Sequence, residues 1–486
     1  MSGVYPKNLG AKIQQISNYS SSYVKINPNN SLQALNNTSS GGSISIDLPP
    51  NSLIDLSSLS VHFDFSTTPA VDGADGCRAY VLSRYASSLI RLIRVEIGGS
   101  VVSEISDYNL ISQIFSDYQY GVEGSSKRLL NNFDPLLKVG DDGTVLQNII
   151  TIDTASPNAV KTDSKHLIWN NFLGWLGGNG VVKYIDTGIT GNIRITFETA
   201  PAANCLILAA QNTTAAGPTR AQFIANPRTG PAVGNDANYT MTNIYATVKK
   251  IQIDDGIYFN ALSQSLASGI PFQYHFNNFM NTKSSATNGD LTMRTDVSSG
   301  SVSMAFLTFY AVDHNTIGEL PNLVDLTRNL GAGVAITAKS AKQHSAFDRK
   351  NCFASKYFKR DGSEINDVAW YINGERAVSY QMKSPDVYDK LLGDFGIHDD
   401  VSSGIYYGIN SYESWRDNYW VATMRLSHVC EDPTFISGLN SQGIPLTLEA
   451  TTTSLTGGAA NYVGQLFVMT DNILQVYAGR QINVVK

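Results

Sequence analysis

Hydrophobic residues in this chain alternate with polar ones in short runs that Gly, Pro and Asn interrupt. Ile44, Ile46 and Leu48 lead into Pro49-Pro50, and Val61, Phe63 and Phe65 share one face of the run 59–65. A period of two marks half-buried β-strands. Ile93, Val95 and Ile97 alternate into Gly98-Gly99, a two-residue hairpin signal. The period then changes: Leu110, Ile111, Ile114, Phe115 and Tyr118 recur at helical spacing, so strand, turn and amphipathic helix follow in order.

The same unit returns half a chain later. Val368, Trp370 and Ile372 alternate into Asn373-Gly374, and Val387, Tyr388, Leu391, Leu392 and Phe395 form the second stripe. Each member of the second stripe lies 277 positions after its partner, while the turns are offset by 275. The shift carries Asp117 onto Asp394 and Asp107 onto Ser384, the latter pair being able to cap a helix N-terminus. Burial of a large apolar side chain is worth roughly 1.5–3 kcal/mol, so each five-residue stripe is expected to be structural core.

Two further matches keep the same order. Ile195-Thr196-Phe197-Glu198 matches Leu446-Thr447-Leu448-Glu449 at an offset of 251. At 223, Asn238-Tyr239 matches Asn461-Tyr462, Thr247 matches Thr470 and Gln252 matches Gln475. Collinear blocks with falling offsets imply two homologous β-domains whose loops differ in length. The expected division is an arm over 1–42, a first domain over 43–256 with a loop insertion at 200–236, and a second over 257–486 with an insertion at 313–366. Within the first, a hairpin is expected over 138–152 and strands at 181–185 and 192–199.

Composition narrows the use of such a chain. At 486 residues it can bury two domain cores. Charged residues are only 16%, below the roughly 25% usual in soluble proteins, and 24 Tyr with 40 Gly suit short strands and turns. The net charge of −6 argues against nucleic-acid binding by the body of the protein. The first 46 residues carry no acidic group but do carry Lys7, Lys12 and Lys25, which makes a weakly basic, flexible arm. The four cysteines lack metal or redox spacing and read as free buried thiols.

Catalytic constellations are missing from the sequence: there is no nucleophile elbow, phosphate-binding loop, HExxH or dinucleotide fingerprint. The seven histidines are scattered, and His62 falls on the opposite strand face from Val61 and Phe63, which reads as a surface or pairing residue. His398-Asp399-Asp400 reads as a turn rather than a calcium loop. A glycan-binding reading needs exposed tryptophans among Trp169, Trp175, Trp370, Trp415 and Trp420, although Trp370 sits on the repeated strand and should be core. No catalytic, metal or cofactor residue is assigned, and an enzyme is not expected.

The segment 82–121 resembles the corresponding region of major capsid proteins of polinton-like viruses and virophages. The matching positions are Arg84, Tyr85, Leu89, Ile90, Arg94, Val95, Ile97, Gly99, Tyr108, Asn109, Leu110, Asp117 and Tyr118. The resemblance implies an all-β fold with short helices, built as two tandem eight-stranded antiparallel jelly-roll sandwiches. It also implies a homotrimeric, pseudo-hexagonal capsomer tiling an icosahedral DNA-virus shell assembled inside the host cell. Neighbouring capsomers and minor capsid or penton proteins would be partners, with an internal membrane or the genome reached through the arm and a host receptor left unidentified. The rival reading is a β-sandwich receptor- or glycan-binding virion protein, spike-like or lectin-like.

Overall fold

The computed structural model describes residues 19–29, 34–37, 42–68, 71–72, 76–83, 85–119, 150–152, 160–162, 165–177, 184–211, 238–253, 256–285, 291–312, 314, 318–319, 355, 357–360, 362, 365–395, 412, 415–416, 419–427, 438–442, 446–454 and 462–486. They form two β-sandwiches in tandem. In the first, strands β1 (Tyr19–Ile26), β2 (Ser43–Asp47), β3 (Leu53–Thr68), β4 (Ile90–Ile97) and β5 (Ser100–Ser106) precede helix α1 (Tyr108–Gln119). Strands β6 (Lys165–Trp169), β7 (Ile193–Thr199) and β8 (Asn238–Ile253) complete it. One sheet has the order β1-β8-β3-β6 and the other β2-β7-β4-β5. All of these pairings are antiparallel.

Helix α2 (Gly256–Ala267) leads into the second sandwich. There the strands are β9 (Phe272–Ser285), β10 (Leu291–Val297), β11 (Val302–Ala311), β12 (Ile365–Ile372), β13 (Glu375–Arg376) and β14 (Met382–Lys383). Helix α3 (Ser384–Asp394) and strands β15 (Ala422–Arg425), β16 (Leu446–Ser454) and β17 (Tyr462–Val476) follow. Its sheets run β9-β17-β11-β15 and β10-β16-β12-β13, the same topology in the same chain order as the first. Between the facing sheets, alternate residues interdigitate: Val61, Phe63 and Phe65 from β3 are buried, as are Leu446, Leu448 and Ala450 from β16.

The duplicated hairpins share one backbone shape. Gly98 and Gly99 have φ of 58° and 86°, and Asn373 and Gly374 have φ of 51° and 84°. Both turns need two successive left-handed residues, which Gly and Asn supply at least cost. From this fixed point the strand match of the sequence is corrected by four residues. Val95 pairs with Ile195, and its counterpart Trp370 pairs with Ala450, not with Leu446. An even slip keeps every side chain on its own face, so alternation alone could not reveal it.

The arm over 1–42 is also corrected. Residues 19–26 are the edge strand β1, paired with β8 from Tyr19–Ile253 to Ile26–Ala246, and Ala34–Asn37 pairs with β8 farther along. An edge strand is held chiefly by main-chain hydrogen bonds and needs little apolar alternation, so its composition resembles that of a tail. The insertions are only partly loops. Leu206–Gln211 pairs with Gly76–Leu82, and Gly318–Glu319 from the second excursion joins it in parallel. The two excursions therefore share one small sheet. In the expected hairpin, Ile150–Ile152 pairs instead with Val160–Thr162, and 138–149 lie outside the described residues. Of the run 181–185, Tyr184 and Ile185 form a strand with Asp186 against β3.

Candidate functional site

The junction of the two sandwiches is built around α1. Every residue from Asp107 to Tyr118 is buried, including the five apolar members of the stripe: Leu110, Ile111, Ile114, Phe115 and Tyr118. A helix covered by one sheet alone would leave a polar face in water. Here the second sandwich covers what the first does not. Phe115 packs against Phe279, Phe306 and Phe395 at ring-centroid distances of 5.5, 5.4 and 5.8 Å. Tyr118 donates its hydroxyl proton to the carbonyl of Tyr419.

Polar contacts fix the register of this packing. The Asp117 carboxylate accepts from Arg360 Nη2 at 2.6 Å, and both side chains are completely buried. Asp107, in the left-handed region with φ of 48°, accepts from Asn281, from Lys283 Nζ at 2.7 Å and from the Tyr357 hydroxyl at 3.1 Å. Burial, followed by the Asp107 charge, pushes the Tyr357 phenol well above its ordinary range, so it remains a donor. Ser103 donates to Asn278 at 3.0 Å. Gly174 has a φ of 72°, which favours glycine, and an added Cβ there would press on the tip of the Ile105 side chain at 2.5 Å.

The second stripe has a different environment. Val387 and Leu391 are buried, whereas Tyr388, Leu392 and Phe395 are half-buried at the core margin. Asp394 accepts from Thr423 at 2.6 Å and from Lys390 at 3.4 Å, both within its own sandwich. The capping expectation is corrected at both helices. The Asp107 side chain is turned toward the second sandwich, and only its carbonyl meets the helix, accepting from Leu110 at 3.0 Å. Ser384 donates to the Ile365 carbonyl, while Asp386 accepts from the Lys383 amide at 3.0 Å. Arg360, Tyr357, Asn281 and Lys283 carried no sequence signal, because their partners are more than 170 residues away.

The junction covers one face of each sandwich. In the second it takes the outer face of β9, β17 and β11. The corresponding outer face of β1, β8 and β3 in the first sandwich carries Tyr23, Lys25, His62, Asp64 and Tyr245, and Tyr23 is 72% exposed. Lys25 thus belongs to a strand, with its ammonium 4.1 Å from the centre of the Tyr245 ring, while Lys7 and Lys12 lie outside the described residues. Burial, then the His166 and Lys25 charges, lower the His62 pKa. The hydrogen bond from Asn243, followed by that from His166, lowers that of Asp64.

Other candidate chemistry dissolves into packing. All five tryptophans are buried, which removes the exposed stacking faces a glycan site would need. Cys205 is a buried free thiol whose pKa burial pushes up. His398, Asp399 and Asp400 lie outside the described residues. Among the described residues no three His, Cys, Asp or Glu side chains converge on a metal-binding arrangement.

Two facing sheets per sandwich, each with the same four-strand order, two sandwiches per chain and a helix after the duplicated hairpin of each define a double jelly roll, the fold of viral major capsid proteins. Among solved structures the chain is similar to one from the Sputnik virophage by cryo-EM, with a TM-score of 0.55, 10% identity, and coverage of 96% of this chain and 88% of that one. It is similar to PBCV-1 VP54 fitted into a Sputnik reconstruction (TM-score 0.53, 11% identity, 96% and 97% covered). The Faustovirus major capsid protein gives 0.52 at 11% identity, with 94% and 91% covered. No protein-family model matches the chain. No curated protein sequence matches it either.

Proposed function

We propose that the chain is the major capsid protein of a DNA virus and that three copies form a pseudo-hexagonal capsomer of an icosahedral shell. The observation that carries this reading is the head-to-tail character of the junction. The α1 side of the first sandwich covers the outer sheet face of the second, leaving the opposite member of each pair open: the α3 side of the second sandwich and the outer face of β1, β8 and β3. On those open surfaces Tyr380 is 54% exposed and Tyr23 is 72% exposed. Heterologous surfaces of this kind join copy to copy, and the series ends when the rotation closes a ring. Three chains present six similar sandwiches, an outline that tiles a flat facet.

Capsomers meet neighbouring capsomers and minor or penton proteins at their rims in this reading. Residues before Tyr19 reach an internal membrane or the genome, and assembly takes place inside the host cell. Sedimentation of the purified chain with negative-stain imaging tests the proposal. A trimer with a six-lobed outline is expected. A stable monomer at capsid-forming concentration overturns it.

A further inference from the structure

On the open outer face of the first sandwich, five side chains form one connected line. Asn243 Nδ2 donates to Asp64 Oδ2 at 2.6 Å, and His166 Nδ1 lies 2.8 Å from Asp64 Oδ1. His166 Nε2 lies 3.4 Å from His62 Nδ1, and His62 Nε2 is 3.0 Å from Thr247 Oγ1. An ionised carboxylate only accepts, so His166 carries its proton on Nδ1 when neutral and leaves Nε2 bare, facing the other ring. When the Thr247 hydroxyl accepts from His62 Nε2, the facing nitrogen of His62 is bare as well.

With both nitrogens bare, the two facing lone pairs need a cation between them, whereas a proton kept on His62 Nδ1 makes the contact an ordinary histidine–histidine hydrogen bond. Two nitrogens bound at 2.0–2.1 Å to a tetrahedral zinc ion stand about 3.3–3.4 Å apart. The observed spacing meets that requirement without moving either strand. The outer partners also fit: a ligating histidine characteristically donates its other N–H to a carboxylate or similar acceptor, as Asp64 and Thr247 allow here. The rings are held from the sides, His62 lying parallel to Tyr245 at 4.6 Å. Lys25 opposes a cation but sits over the Tyr245 ring.

We propose that His62 Nδ1 and His166 Nε2 form a two-imidazole chelate for a borderline divalent cation of the zinc, nickel or copper class. Asp64 and Thr247 orient the rings, and water fills the remaining positions. Imidazole suits these ions and discriminates against magnesium and calcium, which prefer oxygen. The inference does not rest on the capsid reading: the chelate needs only residues of this face, whether the face is open in the free chain or meets the next copy in a capsomer.

The test is calorimetric titration of the purified full-length chain with zinc chloride, paired with diethylpyrocarbonate footprinting of its histidines. One zinc per chain is expected, with His62 and His166 protected together and magnesium without effect. His62→Gln or His166→Gln should lower the zinc affinity at least tenfold. Asp64→Asn should lower it about tenfold, as loss of an outer partner does, and Lys25→Met should raise it. Zinc uptake unchanged in the His62→Gln/His166→Gln double variant overturns the proposal. So does labelling of both wild-type histidines at the same rate with and without zinc, which would mean a histidine–histidine hydrogen bond only.

Discussion

Helices α1 and α3 descend from one unit, yet the first is enclosed on all sides and the second keeps a wet face. The comparison shows how a duplication becomes a single body: the same stripe and the same aspartate were retained, but their partners diverged. Asp117 is held by Arg360 from the other sandwich, whereas Asp394 is held by Thr423 and Lys390 from its own. Position in the repeat therefore does not determine energetic role. What covers the residue does.

The largest expected contrast lies in these aspartates. Arg360→Met removes the charged partner of a fully buried carboxylate and should cost about 3–5 kcal/mol in denaturant titrations, with most of that recovered in Arg360→Met/Asp117→Leu. Asp394→Asn keeps most of its contacts and should cost less than about 1 kcal/mol. Equal losses at the two sites would break the comparison. Next come the stripes: Phe115→Ala should cost about 3–5 kcal/mol and its counterpart Leu392→Ala about 1–2, with the buried neighbour Leu391→Ala at about 2–5. Both Phe115→Ala and Leu391→Ala should reduce the yield of the proposed trimer by size-exclusion chromatography.

A smaller difference separates the residues that open the helices. Asp107→Asn tolerates the left-handed backbone but loses its charge on Lys283, and should cost about 1–2 kcal/mol. Ser384→Ala loses one hydrogen bond and should cost about 0.5–1.5 kcal/mol. The smallest effect belongs to an exposed pair, Asp47 with Arg194 at 2.9 Å. The hydrogen bond from Arg194 is the largest influence holding the Asp47 carboxyl below its usual range. Because the folded value is the lower one, its contribution is present above the ordinary carboxylate range and disappears as pH falls through the lowered value. Arg194→Gln should flatten that part of an acid-denaturation profile and leave the junction variants unaffected.

The duplicated unit was legible because two periods and a turn signal occur together within about thirty residues of each copy. The edge strand β1 was not. Tyr23 faces solvent, Val24 and Ile26 are only half-buried, and backbone pairing with β8 leaves no mark on composition. The four-residue slip between Ile195 and its counterpart arose because a period of two repeats identically after every even shift. The roles of Asp107 and Asp117 depend on residues 174 and 243 positions away, and no local pattern carries that information. The tryptophans were ambiguous by type alone, and enclosure resolved all five.

The pairing of β1 with β8 also sets a timetable for synthesis. Ile26 pairs with Ala246 and Tyr19 with Ile253, so the first sandwich stays one strand short until more than two hundred further residues have left the ribosome. At about 5–20 residues per second that interval is on the order of 10–45 s. Throughout it the N-terminal strand has no partner, and the half-made sheet has an unfilled edge. A nascent-chain chaperone, or a neighbouring chain at the same stage, has that long to compete for it.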